Sequence, residues 1–224
     1  MTKNRTIVYI DGFNFYFGLK EAVKQKNAPH SIYWLDYWKL AEKIVKDREL
    51  VAVKLFTARV KSPGKSARQN AWLNALKVFR PSLDIVYGRY LYKEVTCGQC
   101  GTRTDALICS RCKSQIRIPE EKKSDVNIAV EMLTDAYEDK FDTAILLTRD
   151  SDLVPPIDKI HAIPLSEPKK VGVGFLPGRL SNELKGIADF HFVIQHKILE
   201  DSRLPYEVKK NNGEFLRIPE SWKD

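Results

Sequence analysis

Short apolar runs alternate with amphipathic segments along this chain of 224 residues. Runs rich in Val, Ile and Tyr predict strands over residues 6–10, 50–57, 83–90, 142–148 and 170–176. Segments with a helical period predict helices over residues 12–26, 36–47, 67–79 and 125–138, with a last helix and strand over 181–194. Such alternation is typical of a mainly parallel sheet covered by helices, so we expect an α/β fold.

The helix predicted over residues 125–138 has apolar residues at helical spacing on one face. These residues are Val126, Ala129, Val130, Leu133, Ala136 and Tyr137. We expect this face to be buried. Ser124 is predicted as the N-cap, which places Asp125 in the first turn.

The alternation is interrupted at residues 91–124 and stops near residue 199. We expect residues 1–199 to form one domain with an insertion over residues 91–120. Residues 200–224 are polar, charged and contain proline, so we expect a tail that lies along the surface. Neither a signal peptide nor a long apolar run is visible, which predicts a soluble, cytoplasmic protein with no membrane partner.

Basic residues outnumber acidic residues by 37 to 29, giving a net charge of +8. This excess favours association with polyanions such as nucleic acid, and a solvated basic surface is the alternative. Two basic stretches are candidates for phosphate contacts. The first holds Arg59, Lys61, Lys65 and Arg68, and the second, in and after the insertion, holds Arg103, Arg111, Lys113, Lys122 and Lys123. Tyr87, Tyr90, Tyr92 and Phe15 are candidate stacking faces for single-stranded bases.

Four aspartates lie close to predicted strand ends, where open parallel sheets bind their ligands. Asp11 ends the first strand, Asp150 and Asp152 follow the strand over 142–148, and Asp125 opens the helix before that strand. Ligands of open α/β sheets bind at the carboxyl ends of strands, so these acids are expected to converge. Each acid taken alone is also explained as a helix cap or a turn residue.

Several ionised carboxylates that face one another need a cation. Two like unit charges ~4 Å apart repel by about 4 kcal/mol at an effective dielectric constant of about 20. Ligands that are all oxygen favour a hard ion, Mg²⁺ or Mn²⁺. Such an ion stabilises the charge that grows on a phosphodiester and generates hydroxide from bound water, so the pattern indicates phosphodiester hydrolysis.

Several stretches, taken in order, resemble the motifs of the NYN domain, a branch of the PIN-like nucleases that includes the bacterial LabA-like proteins. The stretches are YIDGFNFY, EEKKSDVNIAVEML, AILLTRDSDLVPPI, KKVGVGF and SNELKGIADFHFVI. The resemblance spans residues 6–194 apart from the insertion, and the end of the chain is similar to that of bacterial members. It implies a PIN-like, Rossmannoid three-layer sandwich with a Mg²⁺ or Mn²⁺ site that cleaves RNA, with single-stranded RNA as the expected partner.

Matched residue by residue, the resemblance assigns metal-ligand roles to Asp11, Asp125, Asp150 and Asp152. We expect Asp152 to complete the site directly or through a water molecule. Asn14 matches the asparagine that follows the first acid. We expect Asn14 and Thr148 to orient a water molecule or a phosphate oxygen.

One residue departs from the family's pattern. Members usually have Ser-Gly-Asp-Ser-Asp where this chain has Thr148-Arg149-Asp150-Ser151-Asp152. A turn that required positive φ would be strained by an arginine in place of the glycine. All four acids remain, so we do not infer a loss of activity.

The four cysteines, Cys97, Cys100, Cys109 and Cys112, lie in one stretch, CGQCGTRTDALICSRC. Each C-x-x-C pair can present two thiolates, and four thiolates make a closed structural Zn²⁺ site. The spacer of eight residues is short for a zinc ribbon, so a very small ribbon is predicted. Two disulfides are the alternative, which an intracellular setting disfavours.

The prediction is therefore a metal-dependent ribonuclease with a small zinc ribbon. The alternative is a non-catalytic RNA- or protein-binding module that uses the ribbon and the basic surface, with Arg149 as its best support. A phosphatase acting on small molecules fits the acids but leaves the basic stretches unexplained. The sequence leaves open the choice between RNA and DNA and the oligomeric state, a homodimer included.

Overall fold

A six-stranded sheet forms the centre of the structure, a computed structural model that describes residues 4–103, 107–111, 113–116, 118–164 and 167–224. The strands are β1 (Arg5–Asp11), β2 (Glu49–Thr57), β3 (Asp84–Tyr87), β4 (Arg89–Lys93), β5 (Ile118–Lys122), β6 (Thr143–Leu147), β7 (Lys170–Phe175), β8 (Phe190–Val193), β9 (Glu207–Lys209) and β10 (Phe215–Arg217). The helices are α1 (Gly12–Lys24), α2 (Tyr37–Val45), α3 (Pro63–Phe79), α4 (Ser124–Tyr137), α5 (Val154–His161), α6 (Asn182–Ile187) and α7 (His196–Asp201).

The central sheet has the strand order β3-β2-β1-β6-β7-β8, and every neighbouring pair is parallel. The chain builds outwards from β1 to β3, then returns to the middle and builds outwards again from β6 to β8. The order of the strands therefore reverses between β1 and β6. The mainly parallel α/β sheet predicted from the sequence is confirmed.

Helices cover both faces of this sheet, because successive side chains of a strand point to opposite faces. In β1, Val8 and Ile10 pack with residues of α1, α2, α3 and α7, while Ile7 and Tyr9 pack with residues of α4, α5 and α6. Two apolar cores result, one on each face. The expected three-layer sandwich is therefore confirmed.

Helix α4 buries a face that only partly matches the predicted one. Ala136 is buried, and Ala129 and Leu133 pack against the core as expected. The buried residues of α4 also include Ile128, Met132 and Asp135, whereas Val126, Val130 and Tyr137 of the predicted face are 64%, 56% and 77% exposed. An acid sits on the buried face because Lys54 of β2 neutralises it, with 2.6 Å between the Lys54 Nζ and the Asp135 carboxylate. The apolar pattern alone could not identify a buried face that contains a charged pair.

Two hairpins lie outside the central sheet. Strands β4 and β5 pair antiparallel with each other, as do β9 and β10. The second hairpin lies in residues 200–224, which we expected to form a surface tail. Four apolar residues of that segment are nevertheless buried: Leu204, Val208, Ile218 and Trp222. The segment therefore contributes to the core that contains α1, α2 and α3.

The strand predicted over residues 83–90 is divided at Gly88 into β3 and β4. A Cβ atom at this residue would lie 2.7 Å from the carbonyl oxygen of Lys122 and 2.7 Å from the Ser124 Oγ. Only glycine leaves room for this approach. The absence of a side chain at Gly88 therefore lets the end of β5 and the start of α4 come close to the edge of the sheet.

Among the helices that the structure describes, none is long and apolar enough to cross a lipid bilayer.

Candidate metal and nucleic-acid site

The candidate site lies where the order of the strands reverses, the point at which open parallel sheets bind ligands. Asp11 is the last residue of β1, and Thr148 and Asp150 follow the end of β6. Asp125 lies in the first turn of α4. Because β1 and β6 are parallel neighbours, their carboxyl ends meet at the same edge of the sheet.

Three of the four predicted acids form one cluster. Carboxylate oxygens of Asp11, Asp125 and Asp150 all lie within 4.8 Å of one another. Asp11 is buried, Asp150 is half-buried and Asp125 is exposed, so the cluster extends from the core to solvent. Asp152 is exposed and lies outside this group of three. The pKa of Asp125 is raised, mainly by burial, then by the charge of Asp150, and least by the charge of Asp152.

Hydrogen bonds connect the two strand ends. The Asp11 carboxylate accepts the N–H of Asn14 at 3.0 Å and the hydroxyl of Thr148 at 2.8 Å. The Thr148 hydroxyl oxygen in turn accepts the N–H of Asp150 at 3.1 Å. The side-chain oxygen of Asn14 accepts the N–H of Arg149 at 3.2 Å. Asn14 and Thr148 therefore fix the relative position of the two loops that carry the acids, while the role predicted for them, to orient a water molecule or a phosphate oxygen, stays a prediction.

Asp150 has a structural role beside any chemical one. Its Oδ1 accepts the N–H of Asp152 at 3.1 Å and caps the short 3₁₀ helix over Ser151–Leu153. The cap interpretation left open by the sequence is thus correct for this residue. The capping hydrogen bond uses one carboxylate oxygen of Asp150, and Asp150 still contributes an oxygen to the cluster of three acids.

The expected strain at Arg149 does not occur. The backbone φ angle of Arg149, which the structure describes, is not positive. The turn therefore does not require a glycine, and the arginine side chain is exposed beside the site.

The electrostatics of Asp11 reflect its buried surroundings. Burial raises its pKa to about 6, the hydrogen bonds from Asn14 and Thr148 act in the opposite direction, and the charges of Asp125 and Asp150 raise it further. Ionising all three carboxylates is unfavourable unless a cation balances them. A bound divalent cation would supply that balance.

Glu121 is a fourth acid at the site that the sequence reasoning missed. Burial raises its pKa to about 7, the hydrogen bond from Ser124 opposes this, and the charges of Asp11 and Asp125 add to the rise. The Ser124 hydroxyl donates to the Glu121 carboxylate. Ser124 is therefore not the predicted N-cap, a place taken by Lys123 with a left-handed φ of 78°. The available signal was the motif EEKKSD, in which Glu121 stands four residues before Asp125.

A cavity of about 90 Å³ opens beside the acids, between α1 and α3. Six aromatic side chains line it: Phe13, Tyr16, Tyr33, Tyr37, Trp72 and Trp222. We call this the aromatic cavity. Lys65 and Arg68 of the first basic stretch also line it. The sequence reasoning missed the cavity because its walls come from segments far apart in the chain.

Of three further residues that were predicted as contacts, two place their charge near tyrosine rings and one is buried. Arg59 and Lys61 lie in the loop between β2 and α3, and each places its charge over a tyrosine ring, that of Tyr87 at 5.1 Å and that of Tyr92 at 5.7 Å. Phe15, predicted as a stacking face, is buried and packs edge-on against Tyr37, so that prediction is wrong.

Within and after the insertion, the predicted basic residues differ in their surroundings. Arg103 forms an ion pair with Glu94, and Lys122 forms one with Glu120 at 3.0 Å. Arg111, Lys113 and Lys123 are exposed. The phosphate contacts predicted for this set stay a prediction.

The two halves of the cysteine insertion repeat one hydrogen-bond pattern. In the first half, the N–H of Cys97 donates to the carbonyl of Thr102, and the N–H of Gly101 donates to the carbonyl of Cys97. The second half makes the same two bonds, from Cys109 to Ser114 and from Lys113 to Cys109. Gly101 and Lys113 both have left-handed φ, of 69° and 56°. Each half is therefore a tight turn of the same kind.

Three of the four predicted zinc ligands are described. Cys97, Cys100 and Cys109 have free thiols, and Cys112 lies outside the described residues. A hydrogen bond between the Cys100 thiol and the Thr102 hydroxyl is the largest influence that lowers the pKa of Cys100 to about 7. A lowered pKa favours the thiolate form, which is the form that binds metal.

Comparison with known proteins gives one family and two similar proteins. The model of the NYN domain family matches residues 5–194. The chain is 27% identical over 183 residues to the 6-hydroxy-3-succinoylpyridine 3-monooxygenase of Pseudomonas putida, a match that covers 70% of this chain and 56% of that protein. The chain thus spans about half the length of this curated relative.

The crystal structure of a protein of unknown function from Vibrio parahaemolyticus is similar in fold. The TM-score is 0.51 at 19% sequence identity, and the match covers 90% of this chain and 97% of the other. A likeness at this identity concerns the fold alone.

Proposed function

This chain belongs to the NYN domain family, which implies a nuclease-type function, and we propose that it is a metal-dependent ribonuclease that hydrolyses phosphodiester bonds in single-stranded RNA. The observation that carries the proposal is the meeting of carboxylate oxygens from Asp11, Asp125 and Asp150 at the reversal of strand order. Oxygen ligands favour Mg²⁺ or Mn²⁺. The basic residues around the cluster favour a polyanionic substrate.

Asp11, Asp125 and Asp150 would hold the ion, and Asp152 would complete the site directly or through water. When bound, such an ion polarises the phosphate and lowers the pKa of a coordinated water molecule. Thr148 orients the Asp11 carboxylate through its hydroxyl. Because the side-chain oxygen of Asn14 already accepts the N–H of Arg149, its amide nitrogen is the group that would donate to a phosphate oxygen or a water molecule.

Glu121 supplies a group for proton transfer. Its carboxylate accepts the Ser124 hydroxyl through one oxygen, Oε1, which leaves Oε2 to take a proton from the attacking water. Its pKa of about 7 suits this task, because a general base works best when its pKa lies near the working pH. Glu121 therefore acts as a proton acceptor beside the metal ligands.

The central test is cleavage of an end-labelled single-stranded oligoribonucleotide in Mn²⁺ or Mg²⁺. Asp150→Asn is expected to lower the rate by at least about 1,000-fold, since loss of a ligand removes several kcal/mol of stabilisation of the transition state. Asp158→Asn, at an exposed residue of α5, is the matched control and should retain the wild-type rate.

Two results would contradict the proposal. If Asp150→Asn cleaved at the wild-type rate, Asp150 would have no part in the mechanism. If the wild-type protein bound RNA but gave no products with any divalent ion, the non-catalytic module would be the better interpretation. The unstrained turn at Arg149 removes the observation that best supported that alternative.

We also propose that the cysteine insertion holds one structural Zn²⁺ ion. The repeated turn and the free thiols of Cys97, Cys100 and Cys109 support this, with Cys112 as the fourth ligand by its place in the sequence. Four thiolates leave no open coordination position, so this ion would have no part in the cleavage chemistry. Its role would be to fix the basic residues of the insertion.

Elemental analysis of the purified protein is expected to find one zinc ion per chain, and Cys97→Ser should lose it. Ser110→Ala, in the same segment, serves as the control and should keep the metal. The zinc-free variant should still cleave a dinucleotide in Mn²⁺. If a folded zinc-free variant bound Mn²⁺ but no longer cleaved that substrate, the division of roles between the two metals would be wrong.

A second candidate function is the binding of a small heteroaromatic acid. The aromatic cavity with Lys65 and Arg68 in its wall favours it, and the name of the curated relative describes a substrate of that kind for that protein. Metal-dependent cleavage of RNA separates the two candidates, because a protein specific for small acids would give no cleavage.

A further inference from the structure

We propose that the aromatic cavity binds one unstacked base of the substrate strand, beside the phosphate that lies at the carboxylate cluster. This inference deepens the proposed function and rests on it. It adds a site for the base to a site for the phosphate. The reasons are the position of the cavity, the chemistry of its walls and the charge around it.

The cavity begins next to the first metal-ligand candidate. Gly12, which directly follows Asp11, lines it together with Thr57 at the end of β2. Tyr37, a buried residue of its wall, is close enough to Asp11 for that charge to add to burial in raising the pKa of its hydroxyl. A nucleotide whose phosphate lay at the acids would therefore have its base within reach of the cavity.

The walls are rigid aromatic faces. The Trp72 indole N–H donates to the carbonyl of Leu35 at 3.0 Å, and its ring meets Tyr37 edge to face with centroids 5.5 Å apart. The ring centroids of Tyr33 and Trp222 are 5.5 Å apart, and both rings line the cavity. Rings held in this way lose little freedom when a ligand binds. They offer stacking surfaces that every base can use.

The volume suits one ring that enters in part. An engineered cavity of about 150 Å³ holds a whole benzene ring. The aromatic cavity, at about 90 Å³, is smaller but open to solvent, so the outer part of a base would remain outside it. A single base is the largest piece of a strand that can enter.

The charge around the cavity favours an anion attached to that ring. Lys65 and Arg68 line the opening, and residues 50–83, which include all of α3, contain neither Asp nor Glu. The charge of Arg68 acts on the hydroxyl of Tyr16, which places the guanidinium near the aromatic wall. A planar ring with a phosphate matches this combination of surfaces.

Further aromatic contacts connect the cavity wall with strand β4. Phe13 stacks on Tyr90 of β4 with centroids 6.1 Å apart, and Tyr90 meets Tyr92 edge to face at 6.4 Å. The Lys61 ammonium lies 5.7 Å from the centre of the Tyr92 ring. Alternating aromatic and basic side chains are typical of surfaces that bind successive bases of a single strand.

The test compares ligands that share a phosphate and differ in the base. Uridine 5′-monophosphate and ribose 5-phosphate compete with a labelled single-stranded RNA for the wild-type protein in Ca²⁺. The nucleotide is expected to bind at least about tenfold more tightly and to quench the fluorescence of the tryptophans in the cavity. Equal affinity of the two ligands would overturn the inference.

A variant assigns the difference to the cavity. In Tyr16→Ala, which shortens one wall, the preference for the nucleotide should fall to less than about threefold, while Tyr137→Ala, on the exposed end of α4, should keep it. An unchanged preference in Tyr16→Ala would also contradict the inference. The comparison of ligands in the wild-type protein decides the question even if Tyr16→Ala does not fold.

The remaining outcomes separate this inference from the proposed function. Cleavage of RNA together with equal affinity for the two phosphates would leave the ribonuclease intact and remove the base site. Failure to bind or cleave any RNA would overturn both. Tighter binding of pyridine-3-carboxylate than of the nucleotide would overturn the base site in favour of a small-molecule ligand.

Discussion

Two buried aspartates of this protein have opposite surroundings. Asp135 is fully buried, and although burial alone would raise its pKa, hydrogen bonds from Lys54 and Tyr9 and the charge of Lys54 lower it. Asp11 is 4% exposed, and within the described part of the chain it forms no ion pair. Its pKa is raised to about 6 by burial, against the hydrogen bonds it accepts.

The comparison shows that burial of an acid does not by itself indicate a functional site. Asp135 has its cation inside the protein and so stabilises the packing of α4 on β2. Asp11 faces Asp125 and Asp150, and within the described residues the charge of Arg179 acts on it without forming an ion pair, so a bound cation is needed to balance the three acids. The difference between a structural acid and a metal-site candidate lies in whether the fold supplies the cation.

The largest expected effect comes from removing the internal cation. Lys54→Met leaves Asp135 buried without its closest charge partner, which should lower the free energy of unfolding by about 3 kcal/mol. Urea denaturation measures this. Lys140→Met is the control, because Lys140 pairs with the same acid from an exposed position and should cost clearly less. Equal losses in the two variants would show that Asp135 does not depend on Lys54.

The affinity for Mn²⁺ should depend on pH. Asp11 has a pKa of about 6, so below that pH a proton competes with the metal and the affinity should fall by about tenfold for each further pH unit. Calorimetric titrations at several pH values measure this.

Glu121→Gln sharpens the pH measurement. Glu121 has a pKa of about 7 and is assigned to proton transfer, so this variant should lose the dependence of the cleavage rate near pH 7 and keep the dependence of metal affinity near pH 6. A variant that changed both profiles equally would place Glu121 among the metal ligands.

Asp11→Asn should stabilise the metal-free protein. The pKa of Asp11 is higher in the folded chain than its ordinary value of 3.8, so stability falls as the pH rises from about 4 to about 6, and the full loss is present above pH 6. Between pH 4 and pH 8 the stability of the variant relative to the wild type should rise by about 2 to 3 kcal/mol, because each unit of pKa shift corresponds to about 1.4 kcal/mol. Thermal unfolding in a chelator measures this.

In the presence of Mn²⁺ the wild type should be more stable than Asp11→Asn, because only the wild type gains stability from binding the ion. A destabilised Asp11→Asn in the chelator at pH 8 would mean that the charge of Asp11 is balanced within the fold.

The smallest effects should come from single hydroxyl groups. Thr148→Val and Tyr9→Phe each remove one donor to a buried carboxylate and should each cost about 0.5 to 1.5 kcal/mol at pH 8. At pH 5 the cost of Thr148→Val should fall, because Asp11 is then mostly protonated, while that of Tyr9→Phe should stay the same. Denaturation at the two pH values checks this, and parallel behaviour of the variants would contradict the proposed difference.

The sequence was sufficient to predict the sheet and three members of the acid cluster. Asp11 and Asp150 stand at or just after the ends of apolar runs that predict buried strands, and parallel neighbours bring such ends together. Glu121 could not be placed in the same way, since its position depends on the pairing of β4 with β5 and on the close approach at Gly88.

The aromatic cavity shows a second limit of sequence reasoning. Tyr33 lies near the start of the chain and Trp222 near its end, and no local pattern relates them. Their contact depends on how residues 200–224 fold back against α1 and α2, which polar composition alone did not predict. The same holds for α4, whose buried face includes Asp135 paired with Lys54 of the distant strand β2.

The hairpin of β4 and β5 has a consequence for how this protein can change. Its strands pair with each other and are separate from the six-stranded sheet, and Lys93 lies opposite Ile118, so the chain leaves and re-enters the domain at adjacent points. A segment of almost any length can be accommodated there without moving a strand of the core. The hairpin is therefore where new modules can be gained or exchanged, in evolution or by engineering, while the rest of the domain keeps its shape.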